Sequence, residues 1–123
     1  KNNIAVYSYN KRHYLRIDFF ETIHVRQVGF GNKAGELAAK SKNISKSGIL
    51  FESRERFEIG AKVQLMIPMP DNADAVVILG RVVRVEIHSS GRYDIGVSFL
   101  EIDQAAKTEL ANYVFEQLGG HRN

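Results

Sequence analysis

The sequence predicts a mainly β domain, six short antiparallel strands forming a small barrel with one α-helix at its C-terminal end. Three observations lead there. From Arg16 onward apolar and polar residues alternate through most of the chain, the period of half-buried strands. Breaks rich in Gly, Pro, Ser and Asn interrupt that alternation at short intervals. Past Asp103 the apolar spacing changes to three and four, which is helical. At 123 residues the chain suffices for one hydrophobic core and not for two.

Each element has its own signal. Residues 1–14 carry little core-forming pattern and are expected to be an arm. In "RIDFFETIHV" the residues Ile17, Phe19, Ile23 and Val25 share a parity that only Glu21 breaks, predicting the first strand. Gly29, Gly31 and Gly35 mark a loop. "ELAAKSKNIS" and "SGILFES" predict two strands meeting between Ser45 and Gly48. "AKVQLMI" places Val63, Leu65 and Ile67 on one face before the turn "PMPDN".

"AVVILGRVVRVEIH" predicts a long strand with Val83, Val85 and Ile87 on one face and Arg84, Glu86 and His88 on the other. "SSG" turns it into "RYDIGVSFLEI", where Tyr93, Ile95, Val97 and Phe99 share a face. Asp103 is placed to cap the helix. Ala106, Leu110, Tyr113, Val114 and Leu118 form its apolar stripe, and Gly119 and Gly120 stop it. The expected organisation is a basic arm over residues 1–16, a barrel over 17–102 and a helix over 103–118. A chain that starts at Lys1 is expected to be a domain of a longer protein.

Composition excludes several functions. There is no cysteine, hence no disulfide framework, thiolate nucleophile or cysteine zinc site. No apolar run approaches the roughly 20 residues of a membrane-spanning helix, and no secretory signal is visible; a cytoplasmic location is the expectation. The net charge of +3 suits an anionic partner but is weak for a duplex-DNA binder. Its distribution matters more. Lys1, Lys11, Arg12 and Arg16 all precede the first acid, Asp18, while Glu101, Asp103, Glu109 and Glu116 lie near the other end.

Two short motifs carry the candidate chemistry. In "KRHYLR", Arg12 and Arg16 share a parity if the segment is extended, about 13 Å apart at roughly 3.3 Å per residue. Such a pair spans a dinucleotide, since each guanidinium forks onto phosphate or guanine's O6 and N7. It is equally what a solvated basic tail contains. In "NISKSG", Asn43 and Ser45 leave one face of a strand while Ile44 points inward. An amide and a hydroxyl side by side suit the edge of a heterocycle, although Asn-x-Ser is also ordinary turn chemistry. Gly48, without a Cβ, permits an unusual φ or a close approach by ligand or backbone.

Arg-x-x-x-Arg before the first strand, then Asn-x-Ser-x-x-Gly about thirty residues later, resembles the PilZ domain family. The resemblance continues through "LGRVVRV" and "YDIGVSFLEI" and covers nearly the whole chain. It implies a six-stranded PilZ-type barrel and, as ligand, the bacterial second messenger cyclic di-GMP. By that resemblance Arg12 and Arg16 grip guanine edges and phosphates, Asn43 and Ser45 contact a guanine, and Gly48 is the close-approach glycine. Asn43 replaces the commoner Asp, and an amide gives guanine's donors no salt bridge. Arg84 falls where relatives place a stacking side chain, and its guanidinium plane suits that role; it is otherwise a solvated strand charge. Lys11, beside Arg12, is placed to meet the extra phosphates of a stacked ligand dimer.

Other constellations are poorer. His13, His24 and His88 are scattered, Glu21 and Glu52 are isolated carboxylates, and no zinc spacing exists. "GFGNKAG" lacks the context of a phosphate loop, and no nucleophile–base pair is legible. The expectation is therefore a binding module, with no catalytic residue, metal or cofactor, that relays ligand occupancy by ordering its arm over the barrel for a protein partner or fused effector. Two alternatives stand beside it. One is a related interaction domain that no longer binds nucleotide. The other is a single-stranded nucleic-acid binder, because Tyr7, Tyr9 and Tyr14 interleave with the basic arm.

Overall fold

The computed structural model describes residues 16–29, 35–69, 75–88 and 90–119. Lys11, Arg12, His13 and the rest of the predicted arm up to residue 15 lie outside them, as does part of the loop after Gly29.

Seven strands and a helix follow in order: β1 (Ile17–Asp18), β2 (Thr22–Gln27), β3 (Leu37–Ile44), β4 (Gly48–Ser53), β5 (Lys62–Ile67), β6 (Val76–Ile87), β7 (Tyr93–Glu101) and α1 (Gln104–Gln117). All pairings are antiparallel. The sheet order is β1-β3-β2-β5-β6-β7-β4, and a β3–β4 pairing closes β2 to β7 into a six-stranded barrel with β1 outside it. β1 and β2 lie end to end along the same strand: Ile17 pairs with Ile44 and Thr22 with Lys40.

The single first strand expected from "RIDFFETIHV" is thus two. Ser41 divides it: its hydroxyl donates to the Phe19 carbonyl at 2.6 Å and accepts from the Glu21 amide at 2.9 Å. The Phe19 and Ser41 amides keep backbone bonds to the Lys42 and Glu21 carbonyls, while the register against β3 slips by one residue between Asp18 and Thr22, a kink at the residue where the parity broke. Ile17, Phe19, Ile23 and Val25 are nevertheless all buried, as their shared parity required, and Phe20 is left exposed.

β6 departs from the expected pattern as well. The face expected to hold Val83, Val85 and Ile87 is split by a register shift between Val82 and Arg84. Such a bulge inserts one residue and reverses the alternation beyond it. Val82 is therefore fully buried while Val83 is 49% exposed, and Ile87 at 81% has run past the core. β7 keeps its predicted face, with Ile95 and Val97 in the core and Tyr93 and Phe99 packed at its margin.

The helix covers part of that core. Asp103 caps it, its Oδ1 accepting from the Ala106 amide at 2.8 Å, and Ala106, Leu110 and Val114 are buried. The Tyr113 ring meets Phe19 edge-on, with centroids 5.4 Å apart, so the helix rests on the residue held by the kink. Leu118, expected in the apolar stripe, is instead the partly exposed C-cap, and Gly119 with φ +87° ends the helix.

Candidate ligand-binding site

The β3–β4 connection, "NISKSG", is a tight turn. The Ser45 amide donates to the Gly48 carbonyl at 2.9 Å. The Ser45 hydroxyl accepts from the Ser47 amide at 3.1 Å and lies 3.3 Å from the Ser47 hydroxyl. Ser45 is consequently buried, with its hydroxyl inside the turn and not standing free beside Asn43 as the strand parity suggested. Gly48 is required by β7: a Cβ there would lie 2.5 Å from the Val97 carbonyl oxygen. Of the two approaches open to this glycine in the sequence, the one seen here is by backbone.

Asn43 faces outward, half-buried, and Ile44 points into the core. Asn43 pairs with Asp18 across the β1–β3 ladder. Arg16, two residues before Asp18, reaches back along that face, and its Nη1 donates to Asn43 Oδ1 at 3.1 Å. Two sequence-predicted residues, 27 positions apart, are thereby brought into direct contact.

The ladders extend this contact across the barrel wall. Asn43 pairs with Leu50, Leu50 with Gly96, and Gly96 with Arg84. Three strand spacings separate Asn43 from Arg84, about 14 Å along the wall. Leu50 faces out, half-buried, and Gly96 offers no side chain. Arg84 lies over that gap: a Cβ on Gly96 would be 3.1 Å from Arg84 Cβ and 3.6 Å from its Cδ. The result is a low apolar floor with a guanidinium at each side. Sequence reasoning proposed Arg84 but missed Leu50 and Gly96, whose place in the row follows only from register.

Arg84 is held by its neighbour Glu86, with Nε to Oε2 at 3.1 Å and Nη2 to Oε1 at 3.2 Å. That bidentate bond holds the Glu86 carboxyl below its ordinary range, with the Arg84 charge adding to it. One row along, Lys42 Nζ contacts both Asp94 oxygens, at 3.1 and 3.2 Å, and Arg92 donates to Glu52 Oε2 at 2.9 Å. Glu52, expected to be isolated, therefore has a cationic partner, and the bond lowers its carboxyl pKa. His88, expected to be scattered from other ligating groups, lies with Glu52 and Asp94, their potential ligand atoms within 4.8 Å of one another. Both carboxylates of that group are already bonded to cations.

A small antiparallel barrel bearing a cationic, flat-floored strip on its outer wall is the class these observations define. Residues 10–116 match the family model of the PilZ domain, and the chain belongs to that family. Among solved structures it is similar to the Bacillus subtilis inhibitor of motility MotI/DgrA, with a TM-score of 0.72 and 21% identity over 92% of this chain and 54% of that one. The K. pneumonia MrkH–c-di-GMP complex gives 0.67 and 13% over 89% and 53%. The PilZ domain of YcgR from Escherichia coli with c-di-GMP gives 0.64 and 12% over 92% and 95%. The chain thus spans about half the length of the MotI/DgrA and MrkH chains. No curated protein sequence matches it. Among the described residues no helix is long and apolar enough to cross a membrane.

Proposed function

We propose that this domain is a cyclic di-GMP receptor whose binding surface is the strip from Arg16 and Asn43 to Arg84. The observation that carries the reading is the Arg16–Asn43 hydrogen bond, because it joins the family's two motifs at one point of the wall. MrkH and the YcgR PilZ domain, which share the fold, are both described with c-di-GMP.

In this reading Arg16 and Arg12 grip phosphate and guanine edges, and Lys11 meets further phosphates when two ligands stack. Asn43 offers its amide to a guanine, and Ser45 and Gly48 form the turn that presents it. A planar base lies on Leu50 and Gly96, and the Arg84 guanidinium stacks on it after leaving Glu86. The domain acts by binding, as a regulatory receptor, and has no catalytic step. Its output is the altered surface created when ligand draws residues 1–16 over the barrel, presented to a protein partner or fused effector. Ordering such a segment consumes part of the binding energy.

A two-dimensional ¹H–¹⁵N titration with cyclic di-GMP tests the location. Amide shifts are expected at Arg16, Asn43, Leu50, Gly96 and Arg84, and not on the exposed face of α1. Shifts confined to the helix would reject this surface. Amide hydrogen exchange over Tyr9–Arg16 tests the relay, and equal protection with and without ligand would reject it while leaving binding intact.

A further inference from the structure

Among the described residues, the second half of β6 has an unpartnered edge. On the side away from β7, β5 accompanies β6 only from Val76 to Arg81. The Val82 amide and carbonyl then bond to Ala61 and Gly60. Beyond Val82, among the described residues, no strand pairs with Val83–Ile87 on that side. Alternation of backbone direction identifies the groups left open. Val82 faces the β5 side, and the bulge adds one residue. At the other end the His88 amide bonds to the Arg92 carbonyl. Both ends agree: Arg84 and Glu86 turn their backbone groups toward β7, while Val85 and Ile87 turn theirs away from it, where no described strand pairs with them.

Open edges are usually blunted by like charges that repel a second copy. This edge carries the opposite arrangement. Arg84-Val85-Glu86 is its own complement when run antiparallel to itself about Val85, because Arg84 then faces Glu86 of the second copy, twice over. A shift of the axis by one residue, to Arg84 or to Glu86, sets Arg84 against Arg84 or Glu86 against Glu86. Register is therefore specified by charge. Both side chains lie on the outer wall, where they already pair within the chain, so the exchange requires no burial of charge.

We infer that the open edge of β6 at Arg84–Val85–Glu86 is a self-pairing surface through which two copies of this chain form a two-fold dimer. Val85 of each copy exchanges two backbone hydrogen bonds with its counterpart, and β7-β6 of one barrel continues into β6-β7 of the other. The interface is isologous, as closed dimers require. It shares Arg84 and Glu86 with the ligand reading but does not depend on it, and it is tested without ligand.

Sedimentation velocity on the ligand-free chain across a wide concentration range should show a monomer–dimer equilibrium. Arg84→Glu or Glu86→Arg alone should weaken it by about tenfold, since two attractive cross-strand pairs become repulsive. The double exchange Arg84→Glu with Glu86→Arg should restore it. The chain has no cysteine, so Val85→Cys should form a disulfide-linked dimer on mild oxidation. Paired Cα atoms about 5.5 Å apart permit that bond. Val77→Cys, on the stretch of β6 already paired with β5, should not crosslink. A chain monomeric at every concentration, or a dimer indifferent to both charge reversals, would overturn the proposal.

Discussion

Arg16 and Asn43 are joined by a 3.1 Å hydrogen bond from guanidinium to amide oxygen. The bond ties the residue just before β1 to the outward face of β3. Arg16→Ala should weaken cyclic di-GMP binding about tenfold or more, since a charge-assisted contact is worth on the order of 1.5–3 kcal/mol. Folding should persist, because Arg16 precedes the buried strands. Calorimetry beside a urea unfolding curve separates the two effects.

Asn43→Asp should preserve or strengthen binding, since a carboxylate accepts from guanine's N1–H and N2–H₂ and gains an ionic bond to Arg16. A tenfold loss with unchanged unfolding would instead place a phosphate at this position. Ser45→Ala should cost less affinity than Arg16→Ala, because the buried Ser45 hydroxyl acts on the ligand only through the turn that presents Asn43. It should also lower stability, because the Ser47 amide loses its acceptor.

Gly48→Ala should destabilise the barrel by roughly 1–3 kcal/mol, the cost of overpacking. The obstacle is the Val97 carbonyl, 2.5 Å from the added Cβ, and β7 backbone cannot rotate away as a side chain would. Gly35→Ala, with nothing within 4 Å, should be near neutral. Urea midpoints of the two variants test the difference.

Glu52 gives a pH dependence of definite sign. Its hydrogen bond to Arg92, foremost, and the nearby charges of His88, Arg92 and Lys42 hold its carboxyl below the ordinary 4.5, against the opposing effect of burial. A group depressed on folding contributes stability above its unfolded pKa and loses it as pH falls through the folded value. The urea midpoint should therefore decline below about pH 4.5 less steeply in Glu52→Gln than in the parent. The difference is small, about 0.2–1 kcal/mol for a pair at the surface.

Local pattern carried much of this fold in the sequence. The parity of Ile17, Phe19, Ile23 and Val25 located four buried residues, and Asp103 marked the helix start as its cap. What was hidden depends on partners distant in the chain. The kink at Phe19–Glu21 is made by Ser41, some 20 residues away. The β6 bulge, beside which Val83 faces outward, is a property of pairing with β7 and has no signature in "RVVRV". Lys42–Asp94 and Arg92–Glu52 join residues 52 and 40 apart. Of the site, Asn43 and Arg16 were legible as motifs, while the floor of Leu50 and Gly96 emerged only when three ladders were laid side by side.

The most direct test is a calorimetric titration of the domain with cyclic di-GMP, beside the linear dinucleotide, guanosine monophosphate and a short single-stranded oligonucleotide. Saturable binding of the cyclic dinucleotide is predicted, with the controls far weaker and with Arg12→Ala and Arg16→Ala each reducing it. No heat with cyclic di-GMP, or equal binding of the oligonucleotide, would contradict the account.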